Sequence, residues 1–498
     1  FGDNLLFGSE LKALRAHRFF SAEVDRTALA NYLRIAYVPS PLSIYEGVRK
    51  LPPGSWLTVD PNRPGFLPAP KRYWDPAEIA RAGEADPLNL SDADAIDELE
   101  RLLADATQLR AVADVPLGAF LSGGIDSSAV VASLQAQSNR RVATFTIGSP
   151  EDSYDESGHA SAIARHLGTD HTELIVTPSE ARAVVPLLPS LYDEPFADSS
   201  QIPTFLVSQL ARRHVTVALS GDGGDEVFGG YNRHVAGPRM WSRLRPVPMP
   251  LRRALARGIQ AVPPGQWDRL GLAADRFLPA NRRGVLTGNN AHKFAGVADV
   301  ASVNEMYARL ISLWTDASSV LTGGGTGDLG DGESLAPDLD PARQMMLLDL
   351  VTYLPDDILV KVDRASMGVS LEARTPLLDH RLVEFAFRLP HHQIIRGGEG
   401  KWLLRRVLER HVPRSLLDRP KKGFGIPIDA WLRGPLREWA EELLSPSRLA
   451  REGFFQVAPV QQALRAHLDG RRNLQHQLWV ILMFEAWLDR EHEEGRCS

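Results

Sequence analysis

Between an apolar run that ends at Leu121 and another that begins at Ala129, the chain reads Ser122-Gly123-Gly124-Ile125-Asp126-Ser127-Ser128. An apolar strand that stops at two glycines and passes into a helix at Ser127 gathers free backbone N–H groups and a helix N-terminus at one place. That arrangement binds phosphate. Glycine suits it because a Cβ would block close approach of the backbone to the oxygens, and Ser122, Ser127 and Ser128 add hydroxyl donors. No lysine follows the glycines, so this is not the loop that grips β- and γ-phosphates. Asp126 stands inside the anion site, which a carboxylate tolerates when a divalent cation lies between it and the phosphate. Magnesium-bound pyrophosphate, cleaved from between the α- and β-phosphates of ATP, fits better than a bare phosphate. The plainer alternative is a Gly-Gly turn with a serine cap.

Three later stretches carry chemistry-bearing residues in a similar density: "VALSGDGGDEVFGGYNR" (217–233), "KVDRASMGVSLEARTPLLDHRLVEFAFRLP" (361–390) and "RPKKGFGIPI" (419–428). Together with "SGGIDSS", in this order over some 300 residues, they resemble the PP-loop of ATP pyrophosphatases and, within that superfamily, the synthetase domain of the glutamine-hydrolysing asparagine synthetases.

The resemblance implies roles. Leu121, Ser122, Gly123, Gly124, Asp126, Ser127, Ser128, Ile147, Ser220 and Gly221 would bind the nucleotide, and Asp126 and Asp225 would hold Mg2+. Asp222 would sit near the reacting carboxylate, at a position where the family pattern has Glu. Asp363, Glu372, Arg374 and Asp379 would shape the substrate side, with Glu372 and Arg374 taking part in catalysis. Lys421 would close over pyrophosphate. Each has a blander reading: Asp225 and Glu226 as first-turn acids of the next helix, Glu372 with Arg374 as a structural ion pair, Lys421 beside Lys422 as solvated charge.

The elements that must position these residues follow from periodicity. "DADAIDELERLLADATQL" (92–109) places Ile96, Leu99, Leu102 and Leu103 at helical spacing behind acidic first turns. After it, strand and helix signals alternate ("PLGAFLS", "SSAVVASLQAQ", "RVATFTIG", "SGHASAIARHLG", "HTELIVT", one long helical region over 178–213, "VTVALSG"), which predicts crossover connections. The expected fold class is α/β: a doubly wound, mostly parallel, Rossmann-like sheet over 92–232, then a mostly helical part over 233–498. The Gly-rich stretch Leu321–Ser334 reads as a surface loop. Residues 1–75, with strand-like "NLLFGS" and "SWLTVD" around a helix at "DRTALANYLRIAY", resemble the closing part of the family's N-terminal α+β (Ntn-type) glutaminase domain and a linker.

Composition narrows the function classes. The 498 residues carry a mild net charge of −6, which recommends neither nucleic acid nor membrane as a partner, and no apolar run reaches a membrane span. The cytoplasm is the expected compartment. A single cysteine, Cys497, excludes a disulfide within the chain. In the family the glutaminase nucleophile is a first-residue cysteine. This chain starts at Phe1, so as given it is expected not to hydrolyse glutamine, either because it is a fragment or because its parent has lost that activity.

The resemblance therefore implies an ATP-dependent carbon–nitrogen ligase. It would adenylate a small-molecule carboxylate, aspartate first, and pass ammonia or glutamine nitrogen to it. A homodimer is open. Alternatives are the same chemistry on a sugar acid, intramolecular β-lactam or lasso-type closure, and a non-catalytic adenylate sensor.

Overall fold

The computed structural model describes residues 4–493 apart from 61, 64, 151–154, 276–286, 324–334, 336–337 and 419–424. Most of the Gly-rich stretch, Lys421 and Cys497 therefore lie outside the described residues. In chain order, helices that matter for the site are α1 (Arg26–Ile35), α2 (Asp92–Ala111), α3 (Ile125–Ala136), α4 (Ser157–Leu167) and α5 (Gln201–Arg212). They are followed by α6 (Asn232–Leu244), α7 (Met249–Ala261), α8 (Pro264–Ala274), α9 (Gly288–Val297), α10 (Leu359–Met367), α11 (His380–Arg388), α12 (Trp402–Leu408) and α13 (Gln475–Glu493).

Local chemistry explains the helix ends. Ser91 caps α2 by accepting from the Asp94 N–H at 3.2 Å, and Asp92 and Asp94 fill the first turn, where carboxylates favour the helix dipole. Gly168 ends α4 at φ +75°, a left-handed position that glycine adopts freely.

The main sheet has five strands, β1 (Leu117–Phe120), β2 (Ala143–Gly148), β3 (Asp170–Ile175), β4 (Val217–Leu219) and β5 (Glu372–Arg374), in the order β3-β2-β1-β4-β5. Every pairing is parallel: Gly118 lies opposite Ala143, Leu117 opposite Val217, and Val217 opposite Glu372. The strand order reverses between β1 and β4, so a crevice opens at their carboxyl ends, where ligands bind in such sheets. Helices cover both faces. Ala119, Leu121 and Leu219 share a core with α2, α3 and α4, while Phe145 and Ile147 pack with Ile202, Leu206 and Leu210 of α5. The expected doubly wound parallel sheet is thus present. Among the described residues no helix is long and apolar enough to cross a membrane.

Four local expectations are corrected. Helix α3 starts at Ile125, two residues before the predicted Ser127, with Gly124 as its N-cap. The region 178–213 is broken into short helices and an irregular stretch over 192–200 before α5; Pro186, Pro189 and Pro195 interrupt it and Asp193 takes φ +62°. Glu372-Ala373-Arg374, expected within a helical stretch, is the edge strand β5, so the sheet extends past residue 232. The stretch "NLLFGS" forms no strand, and only Ser55–Trp56 of "SWLTVD" does, in a two-residue antiparallel ladder with Lys71–Arg72.

The N-terminal segment is built into the same core as the C-terminal helix. Leu29, Tyr32, Ile44 and Tyr45 are buried in one cluster with Trp479, Phe484 and Trp487 of α13. Polar bonds lock it: the Tyr32 hydroxyl donates to the Val480 carbonyl at 2.7 Å, and Arg15 pairs with buried Glu491.

Candidate active site

The first loop follows β1. Leu121 is buried and its N–H still donates to the Phe145 carbonyl of β2 at 2.9 Å. Beyond it the chain turns at Gly123, φ +73°, where a Cβ would stand 2.9 Å from the Ala160 nitrogen. The serines organise the turn: the Ser122 N–H donates to Ser127 Oγ at 3.2 Å and the Gly124 N–H to Ser122 Oγ at 3.3 Å. Helix α3 carries no side-chain cap, which leaves its first-turn N–H groups directed at the crevice for an anion. Ser128 is fully buried.

The second loop follows β4 and lies directly on the first. A Cβ on Gly221 would sit 2.5 Å from the Ser127 nitrogen and 2.8 Å from the Asp126 carbonyl carbon, so backbone meets backbone there and only glycine fits. Gly223 turns the loop at φ +93°. Ser220 is buried, and its hydroxyl donates to the Asp222 carboxylate while accepting from the Asp222 N–H at 3.1 Å. Burial pushes the Asp222 carboxyl above the usual range, against the lowering effects of the Ser220 hydroxyl and Lys361.

Asp126 and Asp225 converge on one ammonium that the sequence patterns did not single out, that of Lys401. Its Nζ pairs with Asp126 and lies 2.7 Å from Asp225 Oδ1. Lys401 is the N-cap of α12 at φ +57°, and its N–H donates to the Phe228 carbonyl at 2.8 Å. Gly230 leaves room for the lysine stem, since a Cβ there would overlap Lys401 Cε. Burial alone would lower the ammonium, and the two carboxylates more than offset it, so Lys401 stays charged. A cation at a helix N-terminus opposes the dipole; a lysine opening the helical run "WLLRRVL" behind "GGEG" is the signal that could have found it.

Below Asp222 lies a second buried ammonium. Lys361 of α10 donates to Asp198 Oδ2 at 2.6 Å and is raised by Asp198, Asp357 and Asp222 together, against the effect of burial. Asp357 is buried beside Asp198, and its carboxyl is pushed far above the ordinary range by burial and by the Asp198 charge. Asp198 and Lys361 were also missed.

The remaining predicted residues are placed differently. Arg374 pairs with Glu372 at 2.7 Å and donates to the Arg110 and Val112 carbonyls at 2.8 Å each, closing the end of α2. Asp379 caps α11 and binds Arg381 and Arg110 at 2.8 and 2.9 Å; the Arg381 guanidinium holds its carboxyl well below the usual range. The Asp363 side chain is exposed beside Arg364. Glu226 is buried, accepts from the Tyr231 hydroxyl at 2.6 Å, and is pushed up to about 7 by burial. Ile147, at the end of β2, lines a small apolar cavity of about 60 Å³ with Gly148, Val176, Ile202, Pro427 and Trp431. That cavity shares only Ile147 with the predicted nucleotide residues.

The donor set suits a nucleotide with a divalent ion. An uncapped helix start, glycines with no room for a Cβ, and two converging carboxylates match a phosphate with magnesium, which takes one or two protein carboxylates and completes its shell with phosphate and water. Among the described residues no cluster of three His, Cys, Asp or Glu is placed to hold a metal without such help.

Comparison with known proteins gives the family. Residues 98–489 match the family model described as asparagine synthase, and residues 1–74 match a glutamine amidotransferase domain. A putative glutamine-hydrolysing asparagine synthetase of Mycobacterium bovis is 35% identical over 479 residues, covering 94% of this chain and 68% of that protein. Glutamine-hydrolysing asparagine synthetase 1 of Bacillus subtilis is 29% identical over 492 residues, 97% of this chain and 72% of its own length. More distantly, the protein named amidase chyE of Penicillium rubens is 25% identical over 465 residues, 85% of this chain and 65% of its own. The chain belongs to the asparagine synthase family and is an ATP-dependent carbon–nitrogen ligase.

Proposed function

We propose that this chain adenylates the side-chain carboxylate of aspartate and transfers nitrogen to it, as ammonia or from glutamine by way of its family's glutaminase domain, to give asparagine. The observation that carries the reading is the meeting of Asp126, Asp225 and Lys401 at the uncapped start of α3, with partly buried Asp222 on the adjoining loop. One side of the crevice is built for a polyphosphate and the other presents buried acids and Lys361.

The substrate carboxylate oxygen attacks the α-phosphorus of ATP, the α–β bridging bond breaks, and pyrophosphate leaves. Charge growing on the leaving group meets the α3 N–H groups, the serine hydroxyls of the first loop and the Lys401 ammonium. Lys421 is a second cation in this proposal. Asp126 and Asp225 are the residues that would hold Mg2+, which neutralises phosphate charge when bound. Leu121, Ile147, Ser220 and Gly221 bound the nucleotide. Ammonia then forms the C–N bond as AMP departs, and one proton must leave nitrogen. Asp222, whose carboxyl burial has raised, is the acceptor in this reading. A chain with one cysteine suits the reducing cytoplasm.

The test is incubation with ATP, Mg2+ and ammonium chloride, with and without aspartate, following pyrophosphate and asparagine together. The two should appear in equal amounts and vanish in Asp126→Ala. Pyrophosphate release that ignores aspartate and answers to another carboxylate would keep the adenylation and replace the substrate. Bound ATP without release for any carboxylate would overturn the reading in favour of a sensor.

A further inference from the structure

The lobe formed by α6 to α9 carries charge of the wrong sign for this protein. The chain as a whole is at −6, yet residues 232–275 contain eight arginines against two aspartates. Two of these arginines have internal work: Arg233 pairs with buried Asp349, and Arg252 donates to the Val300 carbonyl at 2.7 Å. Arg243, Arg245, Arg253, Arg257 and Arg269 are exposed and have no carboxylate partner among the described residues. Elsewhere surface arginines are commonly paired, as Arg101 is with Glu98 and Arg437 with Glu441.

The same lobe leaves leucines in water. Helix α7 buries Arg252 and Ala256 and packs Ile259 toward Ala295 and Phe294 of α9. Its other side is an exposed stripe of Leu251, Ala254, Leu255 and Gly258, at the i, i+3, i+4, i+7 spacing of one helix face. Leu251 and Leu255 are 61% and 47% exposed. Arg253 and Arg257 flank that stripe, and α7 has no acidic residue. Helix α8 joins it through the Trp267 indole, which donates to the Ile259 carbonyl at 3.1 Å, and adds Leu270 and Leu272 at 54% and 71% exposure.

From these observations we propose that the α7–α8 face docks on an anionic lipid surface, with the leucines entering the acyl boundary and Arg253, Arg257 and Arg269 meeting phosphate headgroups. An amphipathic helix with apolar residues on one side and arginines beside them lies in the plane of such an interface. Unpaired arginines on a chain of opposite net charge supply the complementarity. Headgroup phosphates need no fixed hydrogen-bond register. An acidic protein partner would be expected to meet placed polar groups around a packed aromatic anchor, and the one tryptophan here is engaged internally.

The test is flotation of the full chain with phosphatidylcholine vesicles, with and without phosphatidylglycerol. Binding should require phosphatidylglycerol and weaken as salt is raised. The Arg253→Gln/Arg257→Gln variant should bind about 30-fold more weakly, from about fivefold per arginine near the surface, and Leu251→Ser/Leu255→Ser should also lose binding. All of these residues are on the outside, so both variants should keep ATP-dependent pyrophosphate release in solution. Absence of flotation with anionic vesicles, or equal flotation with neutral ones, overturns the proposal. Capture of polyglutamate without any vesicle binding overturns it in favour of an acidic protein partner.

Discussion

Lys401→Gln is the perturbation that tests the site most directly. The side chain is 9% exposed and its two carboxylate partners 17% and 19%, so neither charge pair is dissolved in bulk water. At 2.7 Å and an effective dielectric of about 20, the attraction to Asp225 alone is about 6 kcal/mol before desolvation is counted. Most of that is offset by the cost of burying the ions. Removing one partner of such a cluster leaves net destabilisation of about 3–5 kcal/mol, because two carboxylates remain facing each other. The raised ammonium contributes fully below its ordinary value of 10.5 and loses that contribution only as pH rises through its higher folded value. The loss should therefore be flat across neutral pH. Urea unfolding would measure it, with Asp225→Asn as the second arm of a double-mutant cycle; the double variant should be more stable than the sum of the singles predicts. Pyrophosphate release should fall by at least about 100-fold. Unfolding within about 0.5 kcal/mol of the parent, with release intact, would refute the reasoning.

Gly221→Ala should raise the KM for ATP by at least about tenfold through the backbone clash at Ser127, measured beside Gly258→Ala, whose Cβ meets nothing within 4 Å and which should gain up to about 1 kcal/mol in urea. Asp379→Ala should cost about 1–2 kcal/mol by removing the α11 cap while leaving the KM for the carboxylate unchanged; a rise in that KM would return Asp379 to the substrate side. Because the Asp379 carboxyl is depressed, its stabilisation is present above its unfolded value and lost as pH falls below it. Glu485 is buried and pushed up to about 9 by burial and by hydrogen-bonded Glu452, so the folded state holds a proton that the unfolded chain releases near its ordinary value. Glu485→Gln should then stabilise, with no gain at pH ~4 and a growing one toward pH ~8. A gain largest in acid would contradict that sign.

Much of the sheet was legible because β1, β2 and β4 are largely apolar runs bounded by glycine, proline or polar turns, and their burial is what such runs encode; β3, the half-exposed edge strand "DHTELI", was legible through its β-branched and apolar end before Thr177. β5 was not. Glu372-Ala373-Arg374 has neither alternation nor an apolar run, and it is a strand only because Val217–Leu219 offers an open edge to pair with. The loops at Ser122–Ser128 and Ser220–Asp225 were legible through glycines whose missing Cβ atoms permit backbone contact. Lys401 escaped because its partners are 275 and 176 residues away in sequence. No local pattern joins a lysine at a helix start to two aspartates on different loops.

The second loop is held from both sides by internal ammonium groups. Lys401, from the helix after "GGEG", neutralises Asp225 at one end; Lys361, from α10, acts on Asp222 near the other while tied to Asp198. Each lysine is buried, and each stays charged only because more than one carboxylate surrounds it. Such arrangements are weak sources of stability, since apolar packing of equal volume does as well or better. Their retention at both ends of one short loop therefore argues for electrostatic control of what that loop meets. On the Lys401 side stands the start of α3, which has no side-chain cap and is the phosphate site in the proposed reaction. On the Lys361 side stands Asp222, a carboxylate whose proton affinity burial has raised. In the proposed reaction the loop would separate a site that tolerates departing negative charge from one that receives a proton, and the two lysines would keep those demands from neutralising each other.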